Sequence, residues 1–117
     1  MLVSVFGACD TMRHVKCDDM VLARLESPGN RFVAVTYRRS CANNTGLYTV
    51  VSLQELHAAS HDQGAPETIL TLSGYHDVSA TWTGPNTLQI TSPALADSKA
   101  TMTRVEVWRG VTISFNP

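Results

Sequence analysis

The chain is short of charge, and the charge it has is balanced: 16% of its 117 residues are charged, nine Lys and Arg against ten Asp and Glu. A protein that gains affinity by releasing counterions from a phosphate backbone needs a basic excess, so this balance disfavours general nucleic-acid binding. No apolar run is long enough to cross a bilayer. The run Met1 to Ala8 (MLVSVFGA) falls far below the roughly 20 residues that a spanning helix needs. Cysteine is scarce, and its three positions, 9, 17 and 41, allow at most one intrachain bridge. Also missing are a Gly-x-Ser-x-Gly nucleophile elbow, a phosphate-binding Gly-rich loop, a dinucleotide fingerprint and a paired zinc knuckle. No catalytic residue, metal ligand or cofactor is assigned from the sequence. Catalytic triads do assemble from distant residues, so an enzyme is disfavoured by this absence without being excluded. Length excludes two full domains, and 44% hydrophobic residues provide enough apolar surface for a folded chain.

What is present favours strands. Thirteen threonines and twelve valines are the commonest residues, and β-branched side chains suit a pleated, half-buried surface better than a helix. Val21 to Glu26 alternates loosely. Ser27-Pro28-Gly29-Asn30 then supplies turn chemistry, because Pro presets φ and Gly or Asn tolerates positive φ. The next strand, Arg31 to Arg39, places Phe32, Ala34, Thr36 and Arg38 on one face and Val33, Val35 and Tyr37 on the other. Its expected neighbour is Gly46 to Gln54, reached through the polar loop Ser40 to Thr45. Glu55 to Pro66 reads as a long surface loop or one helical turn. Strand pattern resumes at Thr68 to Ser73, Val78 to Thr83 and Thr87 to Thr91. After a Pro-containing loop from Ser92 to Ala100 come two more strands, TRVEVWR and VTISF, separated by Gly110. The expectation is all-β: a single antiparallel sandwich or half-open barrel of about seven to eight strands, at the short, regular strand spacing of such folds. Residues 17–117 form this domain, and residues 1–16 form an N-terminal segment. SPGNRFVAV and TGPNTLQIT share a turn-then-strand pattern, but a propeller needs at least four blades of roughly 40 residues, so this likeness reflects hairpin chemistry.

Cys17 precedes the strand that begins at Val21 and Cys41 follows the next one, at the same end of one hairpin. A Cys17–Cys41 bridge would close a loop of about 25 residues and contribute about 3 kcal/mol by the chain-entropy estimate. Such a bond persists in an oxidising compartment. Three inert thiols in a cytosolic protein are the alternative. Gly7-Ala8-Cys9 resembles the end of a lipobox, which makes Cys9 a lipidation candidate and a membrane tether. Against that, no positive charge precedes it and Phe6 stands where Leu is usual, so a plain apolar N-terminal strand is the competing reading. Arg38 and Arg39, beside the loop that holds Asn44 and Thr45 and leads to Tyr48, have the donors to hold a carboxylate or phosphate bidentately. Charges at a strand end also serve to protect a sheet edge. His57 and His61 are spaced i, i+4, yet nothing completes a metal site, and a solvated loop is the better reading. His76-Asp77 reads as a turn. Trp82 and Trp108 are core candidates first and a binding surface second.

Cys17 to Leu53 resembles a group of small bacterial exported proteins and lipoproteins of unknown function. In that group a cysteine precedes the first strand, a Ser-Pro-Asp-Gly-like turn follows, and an Arg-Asp-Cys-Gly-Ala-Thr-Thr-Gly-like loop leads into a Val-Ser strand. This chain keeps Arg39, Cys41, Thr45 and Gly46 of that loop and departs at Ser40, Ala42, Asn43 and Asn44. The Trp82 strand and Gly110-Val111-Thr112-Ile113 are similar in placement. The resemblance implies export and a Cys17–Cys41 bridge, and no activity. The functional expectation is an uncharacterised, non-catalytic, protein-binding accessory of the bacterial envelope, periplasmic or lipid-anchored, with Arg38, Arg39, Asn44, Thr45 and Tyr48 as partner-binding residues. Two alternatives stand beside it: an immunity protein that neutralises a toxin, and a small hydrolase or metal-binding protein. A cytoplasmic location is the alternative to the envelope.

Overall fold

The computed structural model describes residues 16–42, 46–56 and 65–117, and within them the all-β expectation holds. Turn chemistry comes first. The Ser27 N–H donates to the Phe32 carbonyl at 2.8 Å and the Ser27 hydroxyl accepts from the Phe32 N–H at 3.1 Å, while Gly29 and Asn30 take φ of 89° and 58°. This closes a hairpin between β1 (Cys17–Glu26) and β2 (Phe32–Cys41). Continuing the ladder are β3 (Gly46–Glu55), β4 (Glu67–Ser73) and β7 (Thr101–Arg104), which give a five-stranded sheet in the order β1-β2-β3-β4-β7 with every neighbour antiparallel.

The second sheet has four strands in the order β5 (Ser79–Gly84), β6 (Thr87–Thr91), β9 (Val111–Asn116) and β8 (Val107–Trp108). Its β6–β9 pair is parallel, and its other pairs are antiparallel. A single 3-10 turn, Pro93–Ala96, follows β6, with the buried Ser92 hydroxyl accepting from the Ala94 N–H. Nine strands are described where the sequence pattern suggests seven or eight. One reason is TRVEVWR, which reads as one alternating strand but divides: β7 pairs with β4 in the first sheet and β8 with β9 in the second. At the corner between them, the Val105 N–H donates to the Ile69 carbonyl, and the Glu106 carbonyl accepts from Ile113.

The sheets meet over Phe32, Ala34, Val51, Leu53, Ile69, Leu70, Leu72, Leu88, Ile90, Val111 and Ile113, all buried. Ile69 and Leu70 are consecutive yet both buried, because the register against β3 slips between Val51 and Ser52 and leaves Ile69 as the extra residue of a bulge. Phe32 stacks on Trp82 at 6.4 Å between centroids and meets Trp108 edge-on at 6.0 Å. The core reading of both tryptophans is thus met, although each stays half-buried.

β1 differs from the rest. All ten residues are exposed, and the large apolar ones are Met20 at 55%, Val21 at 60%, Leu22 at 46% and Leu25 at 39%. Truncating the core ring removes far more buried contact than truncating this strand. We predict that Phe32→Ala lowers unfolding free energy by about 3–5 kcal/mol, while Val21→Ala changes it by less than about 0.5 kcal/mol. Urea unfolding followed by Trp82 and Trp108 fluorescence checks both, and equal costs would contradict this division of the molecule.

Candidate functional site

Adjacent residues of a strand leave the sheet on opposite faces, and this separates the two arginines of the sequence pattern. Phe32, Ala34, Thr36 and Arg38 face the second sheet, whereas Val33, Val35, Tyr37 and Arg39 face away from it. Cross-strand register extends the outer face in rows: Cys17, Cys41 and Gly46 form the first, and Asp19, Arg39 and Tyr48 the second.

The first row holds a covalent bond. Cys17 and Cys41 form a disulfide with their Cα atoms 3.9 Å apart. In the second row, Arg39 Nε and Nη2 donate to the two carboxylate oxygens of Asp19 at 2.8 and 3.1 Å. The same Nη2 lies 3.4 Å from the Tyr37 hydroxyl, and the guanidinium sits 5.3 Å from the Tyr37 ring centroid. The hydrogen bond to Asp19 raises the Arg39 pKa more than burial lowers it, so this cation stays charged wherever the fold exists. A Cβ on Gly46, whose φ is +147°, would collide with the Tyr48 ring. Glycine there lets the tyrosine lie over the first row.

Two shallow grooves flank Arg39. The larger, about 450 Å3, runs between Asp19, Val21 and Tyr37 on one side and Gln54, Pro66 and Thr68 on the other. The smaller, about 250 Å3, lies over the disulfide between Tyr48, Thr71 and Met102. Val33, Val50 and Ser52 of this face are buried, so the outer face of the first sheet is itself partly covered. The larger groove is walled by β1, whose outer edge pairs with no other described strand.

Arg38 occupies the opposite face, beside Met20 and Thr49 in register. Its guanidinium lies 4.9 Å from the Tyr75 ring centroid. The structure therefore brings Arg39 and Tyr48 together and holds Arg38 apart from them. Asn44, Thr45, Cys9, His57 and His61 lie outside the described residues. Among the described residues, no three His, Cys, Asp or Glu side chains gather as a metal site, and no helix is long and apolar enough to cross a membrane. Sequence reasoning missed Asp19 as the partner of Arg39. The signal was available: pairing Cys17 with Cys41 in an antiparallel hairpin sets Asp19 opposite Arg39. Comparison with protein-family models, curated proteins and solved structures finds no match in any of the three.

Two measurements follow from this geometry. Replacing both bridge cysteines, Cys17→Ser with Cys41→Ser, is expected to cost about 3 kcal/mol in denaturant unfolding; no change would show that the bond does not constrain the chain. The Asp19–Arg39 pair is solvated, with side chains about two-fifths exposed. Asp19→Asn is therefore expected to cost at most about 1 kcal/mol, and less in high salt. A salt-insensitive loss of several kcal/mol would contradict that.

Proposed function

We propose that this chain is a small exported β-sandwich of the bacterial envelope that binds another protein, without catalysis, through the outer face of its first sheet and the adjoining edge of β1. One observation carries the reading: a ten-residue edge strand is exposed along its whole length, with four large apolar side chains on it. An exposed apolar edge is a liability in a protein with no use for it, since its unpaired backbone groups accept another strand. Beside that edge lie the Arg39–Tyr37 pair and Tyr48, residue types enriched where proteins bind each other. Strand addition at β1, with side chains of the partner filling the adjacent groove, is the recognition mode this arrangement suits.

The disulfide and the resemblance to small bacterial exported proteins support an oxidising location, periplasmic or held to the membrane by lipid on Cys9. Neutralisation of a toxin is the same kind of contact with a different partner, and a toxin gene beside this one would separate the two readings.

The test is affinity capture from an envelope extract with three baits: the unaltered chain, Arg39→Ala with Tyr48→Ala, and Val21→Lys on the edge. We expect one protein retained by the unaltered chain and lost with either variant, while both variants keep the parent's melting behaviour. Retention of that protein by both variants would sink the proposal.

A further inference from the structure

Of the two adjacent arginines, Arg39 has a carboxylate within the chain and Arg38 has none: no ion pair joins Arg38 to any described residue. Arg38 is half-buried, and its Nε is fully buried with no hydrogen-bond partner. With Nε sealed from solvent, Nη1 and Nη2 are the donors that Arg38 can offer to a ligand. The plane of the guanidinium is already set by stacking on Tyr75. Tyr75 is itself held in place, because the crossover that carries it is tied to the first sheet. The Thr49 hydroxyl donates to the Gly74 carbonyl at 2.8 Å and accepts from the His76 N–H at 3.0 Å.

Arg38 stands near the seam between the sheets, where β1 and β5, an edge strand of each, approach one another. At one end the seam is shut by Trp82, whose Nε1 donates to the Leu25 carbonyl at 3.0 Å. At the other it opens into a groove of about 300 Å3 with Arg38 in its lining, apolar walls of Leu22, Val78 and Pro93, and the hydroxyl of Ser79. The geometry points to this groove as a binding site for the C-terminal carboxylate of a peptide chain. A preoriented guanidinium matches a planar carboxylate by paired N–H donors. The apolar walls accept the last side chain, and the two strand edges allow an extended main chain to continue along the seam. Two other titratable groups line the groove. His76 Nε2 lies 2.8 Å from the Ser73 carbonyl and so is engaged by its own chain. Asp77 is exposed, and its charge opposes an anion. This site lies on the opposite face from Arg39 and Tyr48, and it stands or falls independently of the surface proposed above.

The test is an NMR titration of the disulfide-bonded full chain with three probes: N-acetyl-Ala-Val-Leu as the free acid, the same peptide as its amide, and N-acetyl-Glu-Val-Leu-amide. The free acid is expected to shift the resonances of Leu22, Tyr75 and Val78 and to bind about tenfold or more tightly than its amide. Arg38→Gln should abolish the difference between acid and amide, and Arg38→Lys should restore part of it. Asp77→Asn should tighten acid binding about two- to threefold by removing a solvated like charge. Should Arg38→Gln not fold, the acid-to-amide ratio and the Asp77→Asn effect still decide the matter. Equal binding of acid and amide, or no shift in the groove at millimolar peptide, would overturn the proposal. Tighter binding of the Glu-containing amide than of the free acid would overturn the assignment to a chain end.

Discussion

The Phe32 ring sets the phase of the whole first sheet. It stacks on Trp82 of β5 and meets Trp108 of β8, the two outer strands of the second sheet, so one side chain touches both limits of the facing layer. Once Phe32 points inward, the pleat sends Ala34, Thr36 and Arg38 inward after it and Val33, Val35, Tyr37 and Arg39 outward. Register passes that decision to the neighbouring strand, where Val51 and Leu53 join the core and Tyr48 comes to lie beside Arg39. A slip of one residue would exchange the two arginines and drive the apolar set into water, so the hydrophobic core holds both proposed sites in place.

β1 is held by other means, because none of its residues is buried in the core. Its ladder with β2 runs its full length, the disulfide fastens its first residue, and Trp82 closes on its far end at the Leu25 carbonyl. Between these anchors the register slips at Leu22, a bulge that raises local twist and turns this side chain towards the seam. Fastened at both ends and exposed between them, the strand presents an outer edge that pairs with no other described strand. That combination gives an exposed apolar strand a physical rationale other than a defect of packing.

Much of this was legible locally. Alternation from Arg31 to Arg39 separated the two faces of the strand, since successive side chains leave it on opposite sides. The Ser-Pro-Gly-Asn turn and the pairing of its two strands followed from residues that tolerate positive φ. What escaped depends on contacts far apart in sequence. TRVEVWR alternates without a break, yet the sandwich turns a corner at Val105 and Glu106, and nothing in that segment announces which sheet each half will join. The parallel pairing of β6 with β9 spans a whole crossover. Grouping Arg38 with Arg39 and the loop after them followed sequence proximity where parity already separated them. Arg39 and Asp19 lie 20 residues apart, and the pair becomes visible only when the disulfide is used to set the register. Tyr75 over Arg38 has no local signature, because it arrives from the crossover between the two sheets.

The central claim is that the β1 edge and the face beside it form a protein-binding surface. Its most direct test is photocrosslinking in intact bacteria that make the full chain, with a photoreactive amino acid at Val21 on the edge and, as a control, at the exposed Thr112 of β9. The account predicts one adduct of discrete mass from Val21 and none from Thr112. No adduct from Val21, or the same adduct from both positions, would contradict it.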